Sequence, residues 1–165
     1  MLPSDHFVRM YNELFKMLAE RGREDLEQYW LAISSLQESI VGPYIEAKGF
    51  QGMYEYWDRI RIEENCDMDF RIEEEFFEIR MNACPSLGKN LDNDAGLCIH
   101  YCEHCAGWIN PVIRKYGYFP VYDIISPKEP RCRFRVYKDR DKAVEFSKGC
   151  TWFWDPYHDL QDDAD

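Results

Sequence analysis

Cysteine is the residue type in this 165-residue chain that best suits a site of chemistry. Five of the seven cysteines form a set that could act together: Cys84, Cys98, Cys102, Cys105 and Cys132. Thiolates bind soft metal ions and attack electrophilic carbon, so the set predicts either a metal site or a nucleophilic centre. Cys66 and Cys150 have no partners in the pattern, and we expect them to be ordinary core residues.

Three of these cysteines have the spacing of one helical face. Cys98, Cys102 and Cys105 stand at i, i+4 and i+7, so a helix over residues 97–109 would point all three thiols toward the core. Cys102 and Cys105 also form a C-x-x-C pair, whose two sulfurs could reach one ion. The sequence therefore predicts a helix that carries cysteines.

Cys84 is the candidate nucleophile. Pro85 follows it and suits the first turn of a helix, so we expect Cys84 at or near an N-cap, where backbone N–H groups favour the thiolate. The candidate bases are His100 and His104, and we select His104. Both histidines project from the side of the predicted 97–109 helix opposite its cysteines, which counts against their joining the same site.

Cys132 completes a candidate ligand set from a predicted strand. It alternates with Phe134 and Val136 on the inward face, where a packed helix could meet it. The candidate ligands are Cys84, Cys102, Cys105 and Cys132, and they would suit a divalent metal such as Zn or Mn, or an iron–sulfur cluster. Core packing is the alternative, because free cysteine behaves as a small hydrophobe.

Apolar periodicity predicts the elements that position these residues. It indicates three N-terminal helices: one from Ser4 or Asp5 to Gly22, one from Glu24 to Ile40 that ends at Gly42-Pro43, and one interrupted at Gly49. From Phe70 the period changes to two, with one strand around Phe77–Met81 and a hairpin of Phe119–Ile125 and Arg131–Tyr137. Between the strands, residues 82–116 are predicted helical with Asn110-Pro111 starting a second segment, and a last helix covers Asp141–Lys148.

These elements predict an α+β fold, with an N-terminal helical layer packed on one side of a small antiparallel sheet that also carries the cysteine-bearing helix. We expect a single domain over residues 1–158 and an acidic disordered tail over 159–165. The sequence leaves the oligomeric state open, a homo-oligomer included.

Charge and hydropathy narrow the function. The net charge of −11 and the absence of a basic stripe disfavour nucleic acid and anionic membranes. Arg131, Arg133 and Arg135 share the outward face of a strand, where they could pair with glutamates of a neighbouring strand or hold an anionic substrate. The N-terminus does not have the pattern of a secretory signal, and no apolar run could span a membrane, so we expect a cytoplasmic protein with reduced thiols.

The segment from Glu75 to Tyr137 resembles the L-2-amino-thiazoline-4-carboxylic acid hydrolase family, and more distantly the 4-vinyl-reductase-type ligand-binding domains. The resemblance is carried by Phe77-Glu78-Ile79 leading into Ala83-Cys84-Pro85, by the Cys102-centred helix, and by Arg131-Cys132-Arg133-Phe134. It implies a hydrolase that opens a cyclic C–N/C–S substrate, an aminothiazoline carboxylate giving an S-carbamoyl cysteine. Cys105 stands where the family's pattern has an acidic residue, and this departure, with the extra Cys98, favours a thiolate-bound metal.

Three functions follow. The first is a small-molecule hydrolase in which Cys84 or a metal-bound water attacks an sp2 carbon of the small-molecule ligand. The second is a non-enzymatic metal or iron–sulfur protein that acts as sensor, carrier or electron-transfer partner. The third is a domain that binds an apolar ligand and whose cysteines belong only to the core.

Overall fold

The structure is a computed structural model that describes residues 3–92, 96–126 and 128–151, with side chains from residue 6 onward. Six helices are described: α1 (Pro3–Arg21), α2 (Arg23–Lys48), α3 (Phe50–Glu63), α4 (Pro85–Asp92), α5 (Glu103–Lys115) and α6 (Arg140–Ser147). Four strands are described: β1 (Asp67–Ile72), β2 (Phe76–Ala83), β3 (Phe119–Ser126) and β4 (Arg131–Tyr137). The predicted acidic tail lies outside the described residues. No helix in the described ranges is long and apolar enough to cross a bilayer.

The strands form one antiparallel sheet in the order β1-β2-β4-β3. This arrangement and the helices around it confirm the predicted α+β class. The hairpin of β3 and β4 forms as predicted, and β4 pairs on its other edge with β2. Strands that are distant in sequence therefore become neighbours, which brings the end of β2 beside the start of β4.

Helix α2 does not end at Gly42-Pro43 as the sequence predicted; it continues to Lys48 with Pro43 inside it. A proline disfavours helix at the preceding residue because its ring crowds the preceding Cβ, and Gly42 has none. Gly42 is also buried against the Tyr116 hydroxyl, which a Cβ at position 42 would overlap. Packing of α2 on α5 thus keeps the helix continuous beyond its proline.

Helices cover both faces of the sheet, so the prediction that they lie on one side is wrong. The inner face packs on α3 and α5, with Trp57 against both Phe77 and Phe134. The outer face packs on α6, where Val121 and Ala143 belong to a separate apolar cluster. Since β3 and β4 carry apolar residues on both faces, each face requires a cover.

The predicted helical region 82–116 differs most from expectation. Strand β2 extends to Ala83, α4 is short, and the chain from Gly96 to Cys102 is not helical before α5 begins at Glu103. Asn110-Pro111 does not start a segment, because α5 continues through Pro111 to Lys115. Burial of residues on both sides of the proline offsets its lost N–H bond: Ile109, Val112 and Ile113 all lie in the core.

Candidate functional site: a thiol-lined cavity

The sequence-predicted cysteines meet at a small cavity between two parts of the core. Its volume is about 30 Å³, and ten residues line it: Cys84, Leu87, Tyr101, Cys102, His104, Cys105, Tyr122, Ile124, Arg131 and Cys132. The lining comes from both large apolar clusters, since Leu87 and Tyr101 belong to one and Tyr122 to the other. All four candidate ligand cysteines and the candidate base His104 therefore share one space.

Two of the thiols reach the cavity from neighbouring strands. Cys84 directly follows β2, and Cys132 is the second residue of β4, opposite Met81 of β2. The Cys84 N–H donates to the Pro130 carbonyl over 2.6 Å, which ties the end of β2 to the turn before β4. Antiparallel pairing thus places two cysteines that are 48 positions apart (132 minus 84) at the same end of the sheet.

Cys84 precedes α4, and its Sγ accepts a hydrogen bond from the Leu87 N–H over 3.4 Å. The N–H groups of Leu87 and Ser86 lower the pKa of this thiol, but burial has the larger effect and raises it. Cys84 therefore lies at the start of α4, as predicted, but the N–H groups of the helix do not keep its sulfur ionised.

Cys102 and Cys105 stand at the start of α5, which an ion pair anchors. Glu103, the first residue of that helix, is buried and accepts a hydrogen bond from Arg23 of α2 over 2.5 Å. Burial raises the pKa of Cys102 to about 12 and that of Cys105 well above its usual range. Both thiols are therefore protonated at neutral pH.

Cys132 is protonated for the same reason, because burial first, and then the nearby Cys84 and Cys102, raise the pKa of its thiol.

Cys98 does not join the other four. It precedes α5 and packs in the cluster around Phe15 and Trp30, so the single helical face predicted for Cys98, Cys102 and Cys105 does not form. The C-x-x-C pair lines the cavity without Cys98.

His104 lies at the cavity, so the prediction that it faces away from the cysteines is wrong. Its Nδ1 bonds the Tyr101 carbonyl, and its Nε2 lies 3.4 Å from Cys105 Sγ. Burial lowers the pKa of His104 to about 4, so the imidazole is neutral at physiological pH. His104 and Cys105 are adjacent in the first turn of α5, and the cavity surrounds this end of the helix, so side chains from more than one side of the helix line the same space.

Three further lining residues carry chemistry that the sequence reasoning did not assign to the site. Tyr122 lies on the inward face of β3 and stacks on Phe134 with ring centroids 4.5 Å apart, a position that strand alternation could have shown. Tyr101 is buried and its hydroxyl bonds Ser86 Oγ over 2.6 Å. Arg131 is the one cationic residue in the lining, and its side chain is half exposed.

All three arginines of β4 pair with carboxylates, and Arg131 pairs with the exposed Glu129 of the preceding turn. Arg135 pairs with Glu78, its register partner on β2. Arg133 donates to Asp123, its partner on β3, over 2.7 Å. Cross-strand charge pairing is thus observed for Arg133 and Arg135, whereas Arg131 pairs with Glu129 close to it in sequence and also lines the cavity.

Among the described residues, the structure contains no preformed metal site of the kind that the sequence predicted. Across residues 3–92, 96–126 and 128–151, no group of three or more His, Cys, Asp or Glu side chains is arranged to hold an ion. All seven cysteines are free. The four thiols line one space, and ligation of a metal by them stays a prediction.

Comparisons with family models, with curated proteins and with solved structures find no match to this chain. Fold and site together define an α+β domain with a buried cavity lined by protonated thiols and one neutral imidazole.

Proposed function

We propose that this protein is a small-molecule hydrolase that acts on a cyclic C–N/C–S substrate such as an aminothiazoline carboxylate. The observation that carries the proposal is the meeting of four thiols and His104 at one cavity. Thiol attack on an sp2 carbon requires a sulfur beside a base, and this cavity holds both. The resemblance of residues 75–137 to the aminothiazoline hydrolases supports the same reaction.

The rest of the lining suits a flat, anionic substrate. Arg131 could pair with a ring carboxylate at the half-exposed edge of the cavity, and the rings of Tyr101 and Tyr122 offer apolar surface to a planar heterocycle. Arg131 is the charged side chain of the lining, and because its pair with Glu129 is exposed, a ring carboxylate could compete for it.

The proposal includes a reducing location, the cytoplasm. Nucleophilic thiols must remain reduced, and four of them lie together in this cavity. In an oxidising compartment such thiols would be open to oxidation or mispairing.

Turnover of a defined panel tests the hydrolase. The purified protein is incubated with 2-amino-thiazoline-4-carboxylate, related cyclic amidine acids and their neutral amides, with and without Zn or Mn, and products are followed by mass spectrometry. We expect hydrated, ring-opened product from at least one acid, and a higher KM with Arg131→Gln. Cys150→Ser is the matched control, because Cys150 lies near α6 outside the cavity lining. No turnover of any panel member by folded protein would refute the hydrolase.

The second candidate is a protein that binds a metal or an iron–sulfur cluster through the same four thiols. The small size of the cavity favours it, because the space suits an ion better than a large ligand. Element analysis and the visible spectrum of anaerobically purified protein decide between the two. Stoichiometric metal or a cluster absorption band, lost in Cys102→Ala, would support this candidate; metal-free folded protein would refute it.

A further inference from the structure

The four cavity thiols are not equivalent. Among the described residues, Cys105 is the cavity cysteine whose sulfur has an imidazole nitrogen at hydrogen-bond distance, His104 Nε2 at 3.4 Å. Cys84 Sγ instead accepts from a backbone N–H, which offers no site for a proton. A thiol that must lose its proton during attack requires an acceptor at the sulfur, and Cys105 has one.

The hydrogen bonds of His104 determine which nitrogen accepts. The Tyr101 carbonyl can only accept, so the Nδ1 that bonds it carries the ring proton. In a neutral imidazole the other nitrogen, Nε2, is then an acceptor, and the Cys105 thiol donates to it. The backbone carbonyl therefore fixes the tautomer that a general base needs.

Aromatic packing holds the ring in this position. His104 lies 4.5 Å from Trp108 and 5.0 Å from Tyr101 by ring centroids, with Phe15 of α1 at 5.4 Å. Such a ring cannot swing away from the sulfur without opening the core. Cys105 lines the cavity, so its thiol lies where a small molecule in the cavity could reach it.

We propose that Cys105 is the nucleophile of this site and His104 its general base. This inference rests on the proposed hydrolase and specifies it: the attacking thiol belongs to α5, and Cys84 is part of the cavity wall. The substrate class is a small ring with an electrophilic amidine or isothiourea carbon.

The reaction balances with this pair and one water. Cys105 Sγ bonds to the ring carbon C2 while its proton passes to His104 Nε2 and the C2=N3 electron pair moves to N3. His104 returns the proton to N3. The C2–N3 bond then breaks, its electrons stay on N3, and a proton moves from the exocyclic amino group to the new amine.

Hydrolysis of the resulting covalent species restores the enzyme. Water adds to the C=N carbon with transfer of one proton to nitrogen. The C–Sγ bond then breaks, its electrons return to the sulfur of Cys105, and the hydroxyl proton passes through His104 to that sulfur. The product carries the carbamoyl group on the former ring sulfur, so that one water has been consumed.

Mapping of a covalent adduct tests the assignment independently of turnover. The full-length protein is treated with a limiting amount of iodoacetamide, a small neutral electrophile, and the modified peptide is sequenced by mass spectrometry. Among the four cavity thiols we expect the first adduct on Cys105, and alkylation of Cys105 slowed about tenfold or more in His104→Asn, whose amide can keep the bond to the Tyr101 carbonyl. Cys150→Ser should leave the pattern unchanged.

The kinetic arm uses the panel substrate. We expect Cys105→Ser and Cys105→Ala to lose turnover by about a hundredfold or more, with circular dichroism matching that of the wild type. First alkylation at Cys84, or turnover retained in both Cys105 variants, would overturn the assignment and leave the hydrolase in place. If no substrate is turned over the hydrolase fails, while alkylation that does not favour Cys105 contradicts the thiol–imidazole pair.

Discussion

The Asn12 side chain of α1 bonds the backbone just before α5, more than 80 residues away. Its Oδ1 accepts from the Cys98 N–H over 2.9 Å, and its Nδ2 donates to the Gly96 carbonyl over 2.8 Å. Asn12 is fully buried and its bond to Cys98 is formed out of contact with water, whereas Gly96 is an exposed residue. This amide holds the chain from Gly96 in its non-helical path to the cavity.

Replacement of Asn12 by alanine should therefore destabilise the protein. It leaves the buried Cys98 N–H without its partner, which costs about 1–3 kcal/mol, and it removes the bond to the carbonyl of the exposed Gly96, which water can replace. The free energy of unfolding from urea titration measures the loss. We also expect faster alkylation of Cys98, whose thiol packs beside this segment.

Asn12→Asp is the matched variant, because it retains the acceptor for Cys98 and loses the donor to Gly96. We expect it to be destabilised as well, and more so at neutral pH than at low pH, where the carboxyl can be protonated. A wild-type urea midpoint in Asn12→Ala would contradict the role of this side chain.

Gly107→Ala should disrupt the packing of α5 on α2. A Cβ at this position would lie 2.8 Å from the Trp30 ring, and Trp30 is buried. Overpacking of this kind costs about 1–3 kcal/mol, which the urea midpoint would register.

Gly88→Ala in α4 is the control, because the nearest atom to its Cβ would be 3.9 Å away. There we expect unchanged or raised stability, since alanine reduces the entropy of the unfolded chain by about 0.4–1 kcal/mol. Equal effects of the two substitutions would contradict the close contact of Gly107 with Trp30.

His104 should make the stability depend on pH. Its pKa falls from 6.5 to about 4 in the folded state, so the unfolded chain binds the proton more readily. The stabilisation is fully present above about pH 6.5 and is lost progressively as the pH falls toward 4. The shift corresponds to roughly 3 kcal/mol.

Urea titrations of the wild type and of His104→Asn at pH 7.5, 6, 5 and 4 measure this loss. Both proteins share the titration of their carboxylates, so the difference between the two curves isolates the imidazole. We expect the wild type to lose more stability than the variant over this range. Parallel curves would show that His104 is not buried as a neutral base.

The cavity thiols should react slowly with a bulky anionic disulfide reagent. With its pKa at about 12, Cys102 at pH 8 is ionised in only about one molecule in ten thousand, whereas an ordinary thiol is substantially ionised there. In urea all seven thiols should react at the ordinary rate.

In the native protein we expect a fast phase that excludes the four cavity thiols, and a slow phase that accelerates as the pH rises from 8 to 9. Cys102→Ala should reduce the amplitude of the slow phase by one thiol and leave the amplitude of the fast phase unchanged. Seven equally fast thiols in the native protein would contradict the burial of this set.

The local pattern of the sequence determined strands β2, β3 and β4 and the inward position of Cys132, whereas β1 was not predicted. Alternation along Arg131–Tyr137 places Cys132 and Phe134 on one face whatever the partner strand, because side-chain direction in a strand has a period of two. The cysteines of the candidate site could also be selected from the sequence, by their residue type and spacing. The pairing of β2 with β4, which brings Cys84 near Cys132, has no local signal.

Tertiary structure decided the helix boundaries and the base. Pro43 and Pro111 lie inside helices because burial on both sides of each outweighs the lost backbone bond, a balance that no local pattern contains. The start of α5 was decided likewise by Asn12, which holds the preceding backbone from a distant helix. The first turn of α5 lies against the cavity, so Cys102, His104 and Cys105 line one space. The sequence thus predicted the thiols by residue type, and tertiary packing decided which imidazole lies beside them.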